Sequence, residues 1–84
     1  MELQGDNNLA DDVAFSPDGT YLVTAGMDSL NLWEVRTGRR IQSLKGQFWS
    51  VAFSHDGELV AVGAYGGGIQ VFQVVHEKVG TNPK

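Results

Sequence analysis

The stretch Val13-Ala14-Phe15-Ser16-Pro17-Asp18-Gly19 returns 38 residues later as Val51-Ala52-Phe53-Ser54-His55-Asp56-Gly57. Two further segments return in the same order. Leu3-Gln4-Gly5 matches Leu44-Lys45-Gly46, and Leu30-Asn31-Leu32-Trp33-Glu34-Val35 matches Ile69-Gln70-Val71-Phe72-Gln73-Val74. A repeat of this period marks a supersecondary unit that buries its apolar face against a neighbour of the same kind.

Each unit reads as short strands separated by turns. Residues 13–16 form an apolar, β-leaning run that Pro17-Asp18-Gly19 ends: Pro sets the turn's first φ, and Gly takes the positive φ that re-enters a strand. Residues 21–25 are too short for a helix and rich in β-formers. Gly26-Met27-Asp28-Ser29 turns the chain into a third strand at 30–35, and Thr37-Gly38 turns it again. Residues 40–44 alternate polar and apolar, which predicts a half-exposed edge strand. The second unit repeats the first three strands at 51–54, 59–63 and 69–74.

These residues resemble the WD-repeat family. The resemblance is carried by the Val-Ala-Phe-Ser-Pro-Asp-Gly run at 13–19 and by Leu32-Trp33-Glu34-Val35-Arg36-Thr37-Gly38, which is similar to the family's Leu-Trp-Asp and following Thr-Gly turn. It covers almost everything from Leu3 to Val75, with a period slightly under the roughly 40–45 residues usual for such repeats. The fold it implies is all-β, two four-stranded antiparallel blades of a partial β-propeller, about eight short strands in all. Chain order then makes residues 1–4 an outer strand belonging to a neighbouring blade. Residues 5–43 form the first repeat and 44–75 the second, degenerate one, whose outer strand is missing. Residues 76–84 are a polar tail.

The family joins a loop His, a second-strand Ser, a turn Asp and a third-strand Trp in one hydrogen-bond network. Thr24, Asp28 and Trp33 stand at or near three of those positions, and Asp6 falls where the His would be. The second unit has Val62, Gly66 and Phe72 instead, so the resemblance implies an incomplete network in the first blade and a packed, apolar substitute in the second. An apolar exchange of both partners is close to neutral. Gly66-Gly67-Gly68 predicts a tight hairpin loop. A phosphate cradle would need a helix start after it, and none is legible.

Length and charge limit what such a chain does. An 84-residue chain buries only about 60% of its unfolded surface and is marginal without help. There is no Cys, which removes disulfides and thiolate zinc sites, and His55 and His76 are too few for a histidine-rich metal site. Association is the remaining aid. Propellers have about four to eight blades, so self-association or blades from another chain are expected, with a piece excised from a longer propeller as the alternative. Net charge is −4, and Arg36, Arg39 and Arg40 beside a turn do not make the phosphate-neutralising surface that nucleic acid needs. The start has neither the basic nor the apolar region of a signal peptide, and no apolar run is long enough to span a bilayer. An intracellular protein, cytoplasmic or nuclear and not membrane-bound, is expected.

The partner expected from the family resemblance is a protein or peptide, held at the top face. Trp49, just before a strand, and Tyr65, in the turn between second and third strands, are the foremost candidates there, with Asp11 and Met27 as companions. An exposed Trp makes a strong interface anchor. Phe48 matches an apolar family position and is expected in the core. His55 reads as an exposed turn residue. Asp11-Asp12 and His76-Glu77 do not assemble a nucleophile, base and orienting group, and no cofactor fingerprint is present. No catalytic activity and no cofactor are expected.

Overall fold

The computed structural model describes residues 10–74, and the expectations for residues 1–9 and 75–84 lie outside them. Strands β1 (Ala10–Phe15), β2 (Tyr21–Gly26), β3 (Ser29–Glu34) and β4 (Arg39–Lys45) form one antiparallel sheet in sequence order. Strands β5 (Phe48–Phe53), β6 (Leu59–Ala64) and β7 (Ile69–Gln73) form a second, three-stranded sheet. The described residues contain no helix.

The repeated turn holds its shape by side chain as much as by backbone. The Gly19 N–H donates to Ser16 O at 2.9 Å. Asp18 Oδ1 accepts from the Ser16 hydroxyl and the Thr20 N–H, each at 2.9 Å, while Ser16 Oγ accepts the Tyr21 N–H at 2.9 Å. Ser54, Asp56, Glu58 and Leu59 reproduce the same set at 2.7, 3.0 and 2.9 Å. His55, exposed, replaces Pro17 without altering it. The turn is therefore carried by Ser and Asp, and proline is an addition.

Side chains alternate across a strand, so each sheet has two faces. Ala14, Tyr21, Val23, Ala25, Leu30 and Leu32 share one face of the first sheet. They pack with Val51, Phe53, Val60, Val62, Phe72 and Val74 from the second sheet, and Phe48 is buried among them. β5 lies against β1 and β2. One hydrogen bond crosses the seam at one end, and the two sheets approach closely at the other. Asp12 Oδ2 accepts the Val51 N–H at 3.0 Å, and a side chain at Gly57 would come within 3.3 Å of the Pro17 ring.

Apolar side chains also stand exposed on the remaining faces. On the second sheet, Leu59, Ile69 and Val71 are exposed, Ile69 to 76%. On the first, Val13 and Phe15 are exposed, Phe15 to 61%. The outer strand departs from the half-exposed pattern expected of it: all seven residues of β4 are exposed, Ile41 and Leu44 included. These two line an apolar recess of about 250 Å³ that runs between β4 and β7 and is bordered by Leu30, Leu32, Phe72 and Val74. No described strand pairs along the edge of β7, and none closes this recess over the inward side of β4.

Candidate partner-binding face

Both inner strands carry a β-bulge at the same place. The pairing of β1 with β2 shifts between Ala10 and Asp12, and that of β5 with β6 shifts between Phe48 and Ser50. A bulge leaves one residue unpaired and re-aims its side chain. The residues so placed are Asp11 and Trp49. Met27 and Tyr65 occupy the following hairpin turns, again at equivalent positions. The four candidates are thus two pairs of repeat equivalents, and all lie at one end of the sheets.

Tyr65 crosses from the second blade to the first. Its N–H donates to Gln47 O at 3.0 Å, and its hydroxyl reaches the Asp11 carboxylate at 3.4 Å, a long contact. Trp49 is 52% exposed, and its ring lies over Gly63, where an added Cβ would meet ring carbons at 3.0 Å. Together Trp49 and Tyr65 border an open recess of about 470 Å³ that also includes Ala64 and Ile69. Its wall is the β6–β7 turn, in which Gly66, Gly67 and Gly68 have φ of 92°, 97° and 96°. Three successive residues in that region require glycine. Met27 is exposed at the same end but does not border this recess.

Of the residues assigned to the network, Thr24 and Trp33 are brought together: the buried indole N–H donates to Thr24 Oγ1 at 3.1 Å. Asp28 is not part of that pair. It is exposed in the β2–β3 turn, where its backbone carbonyl accepts the Gly46 N–H at 3.1 Å. Buried Ser29 and Asn31 stand on the same strand as Trp33 instead, with Asn31 Nδ2 donating to Ser29 Oγ at 3.0 Å. Sequence reading passed over this pair and over the cross-blade role of Asp12. Carrying the 38-residue offset through every candidate would have linked Asp11 to Trp49 and Met27 to Tyr65. No comparable signal announces the Asp12 contact, because it joins two repeats and is not repeated itself.

Charge is divided between the two ends. Among the described residues, Asp11, Asp12, Asp28 and Lys45 are the charged residues at the Trp49 end, whereas Arg36, Arg39 and Arg40 lie in and just after the β3–β4 turn at the other. Asp18 and Asp56, also at the far end, have carboxyls held below the usual 3.8, first by the backbone N–H of Thr20 and Glu58 and then by the Ser16 and Ser54 hydroxyls. Among the described residues no group of three His, Cys, Asp or Glu converges as metal ligands, and no helix is long and apolar enough to cross a membrane.

Two stacked antiparallel sheets, one of four strands and one of three, are blades of a partial propeller. The family model described as "WD domain, G-beta repeat" matches residues 2–30 and 38–73, and the chain belongs to that family. Its repeats are generally non-enzymatic protein-interaction scaffolds. The chain is 36% identical to Protein ROOT INITIATION DEFECTIVE 3 of Arabidopsis thaliana over 67 residues, 75% of this chain and 15% of that protein. It is 32% identical to Protein groucho of Drosophila melanogaster over 73 residues, 83% of this chain and 10% of that protein. The chain therefore spans a small fraction of the length of these relatives.

Proposed function

We propose that this chain is a protein-interaction module that works once further blades cover its two open sheet faces. One observation carries the reading. The open face of the second blade, with Ala52, Leu59, Ala61, Ile69 and Val71, is the repeat equivalent of the face by which the first blade holds the second, with Ala14, Tyr21, Val23, Leu30 and Leu32. In the same way, open Val13 and Phe15 correspond to Val51 and Phe53, which are inside the seam. Each open face is half of an interface the chain already makes, and about three repeats are usual for stability. The partner, a protein or peptide, is held at the end bearing Trp49, Tyr65, Asp11 and Met27. A cytoplasmic or nuclear setting suits a chain without Cys.

A second reading is favoured by the same faces: self-assembly is the chain's whole role, and it has no ligand of its own. Absolute mass by light scattering on a sizing column tests the requirement for more blades. The expected result is a discrete oligomer, or a monomer with poorly cooperative unfolding that another chain's blades complete. A monomer that unfolds in one cooperative, heat-resistant transition would overturn it. The two readings part at Trp49 and Tyr65, since replacing both by Ala abolishes peptide capture on the first and leaves oligomer mass unchanged.

A further inference from the structure

We propose that the recess beside Trp49 and Tyr65 receives a cationic side chain, the lysine or arginine of an extended peptide. This rests on the reading of this end as the partner-binding face and adds the chemistry of what is bound. Both aromatics are about half exposed and border one open space. Aromatic ring faces attract ammonium and guanidinium groups. The glycine wall leaves room for an approaching chain, since nothing lies within 4 Å of the Cβ positions of Gly66, Gly67 and Gly68.

A carboxylate that does not line the recess but stands beside Tyr65 decides the sign of the ligand. Asp11 reaches the Tyr65 hydroxyl, so a cation stacked against Tyr65 lies beside a negative charge. Asp12 and Asp28 belong to the same end of the blades, with Lys45 the one cation there among the described residues. An acidic or phosphorylated peptide would be repelled there, and a neutral one would gain nothing from Asp11. Another blade would cover the Ile69 side of the recess, as Leu30 is covered in the first blade, and leave the Trp49 and Tyr65 side. Asp11 and Met27, the equivalents of Trp49 and Tyr65 in the first blade, stay exposed although the second blade covers the face below them.

The test uses the full chain in whatever assembly it forms, titrated with short acetylated and amidated Gly/Ser peptides that differ only in a central Arg, Lys, Gln or Glu. NMR reads the Trp49 indole N–H and the Gly66, Gly67 and Gly68 amides. Saturable shifts are expected with Arg and Lys and weaker ones with Gln and Glu. Losing one exposed cation–aromatic contact weakens binding by roughly two- to fivefold, so Trp49→Ala and Tyr65→Leu should each do so. Asp11→Asn, which leaves the aromatics in place, should weaken Arg and Lys binding and leave Gln unaffected. Equal binding of the Gln or Glu peptide, or no response to any, overturns the proposal. Selection from an unbiased displayed peptide library separates it from the broader reading. Binders that depend on Trp49 and Tyr65 but share no cation overturn only the ligand chemistry. If no binder depends on either residue, the partner-binding face falls as well.

Discussion

The Asp12 carboxylate of the first blade accepts the backbone N–H of Val51 in the second, at 3.0 Å, while its other oxygen accepts the Val13 N–H, also at 3.0 Å. Val13 and Val51 are repeat equivalents, so one side chain caps the same strand position in two successive blades. Asp12→Ala should cost roughly 1–3 kcal/mol, because the half-buried Val51 N–H is left without a partner. Asp12→Asn keeps one carbonyl oxygen and should lose less. Urea unfolding reads both as shifts in midpoint at constant slope. An Asp12→Ala variant as stable as the parent would mean that water replaces the carboxylate at this seam.

The Thr24–Trp33 hydrogen bond has a natural control within the molecule. The second blade carries Val62 and Phe72 at the equivalent positions, both apolar. Thr24→Val alone strands a buried indole N–H and should destabilise by about 1–2 kcal/mol. Adding Trp33→Phe recreates the pair already used in the second blade, so the double variant should lose less than the sum of the two single changes. A double-mutant cycle measures the difference, and strict additivity would remove the bond from the account.

The strands and their turns were legible because the repeat shows each twice, and the Ser-Asp turn logic follows from two copies differing only in Pro17 and His55. The bulges were not legible. β1 begins at Ala10 and β5 at Phe48, three residues before the apolar runs at 13 and 51, because the extra residue in each is accommodated by the partner strand and not by local propensity. Exposure along β4 also escaped: alternation in residues 40–44 reports which side chains a neighbouring element would cover, and no described strand covers them. At the candidate face, Trp49 and Tyr65 were legible as aromatics outside the core runs, but Trp49 was read as loop and lies within β5 at its bulge. The long contact between Tyr65 and Asp11, 54 residues apart, follows only from the packing of one blade on the next.

Gly63 sets the position of the Trp49 ring. An added Cβ would sit 3.0 Å from two ring carbons, tighter than ordinary contact, and a half-exposed ring is free to swing away. Gly63 is itself buried, so Gly63→Ala should cost about 1 kcal/mol, shift the Trp49 indole resonance and weaken peptide binding. An unchanged indole signal would show that the ring does not rest on Gly63.

Acid should loosen the two Ser-Asp turns. Asp18 and Asp56 have folded-state values below the ordinary 3.8, so their contribution is complete above that value and is lost as pH falls through the lower folded values. Both groups are fully exposed, and the effect should be correspondingly modest. Stability followed from pH 7 downward should decline once pH passes below about 4. Asp18→Asn with Asp56→Asn should flatten that decline. A decline of the same steepness in the double variant would assign it to other carboxylates.

Because each open face is half of the internal seam, a stack extended on them is a head-to-tail contact that carries no chemical stop. Its length is settled by geometry: a constant angle per blade either brings the array round to its own beginning or lets it run on as a filament. The angle belongs to the seam itself, bonded through Asp12 at one end and with Pro17 close to Gly57 at the other. A substitution at either end acts less as a break than as a change of pitch, altering how many units meet before the first and last come together.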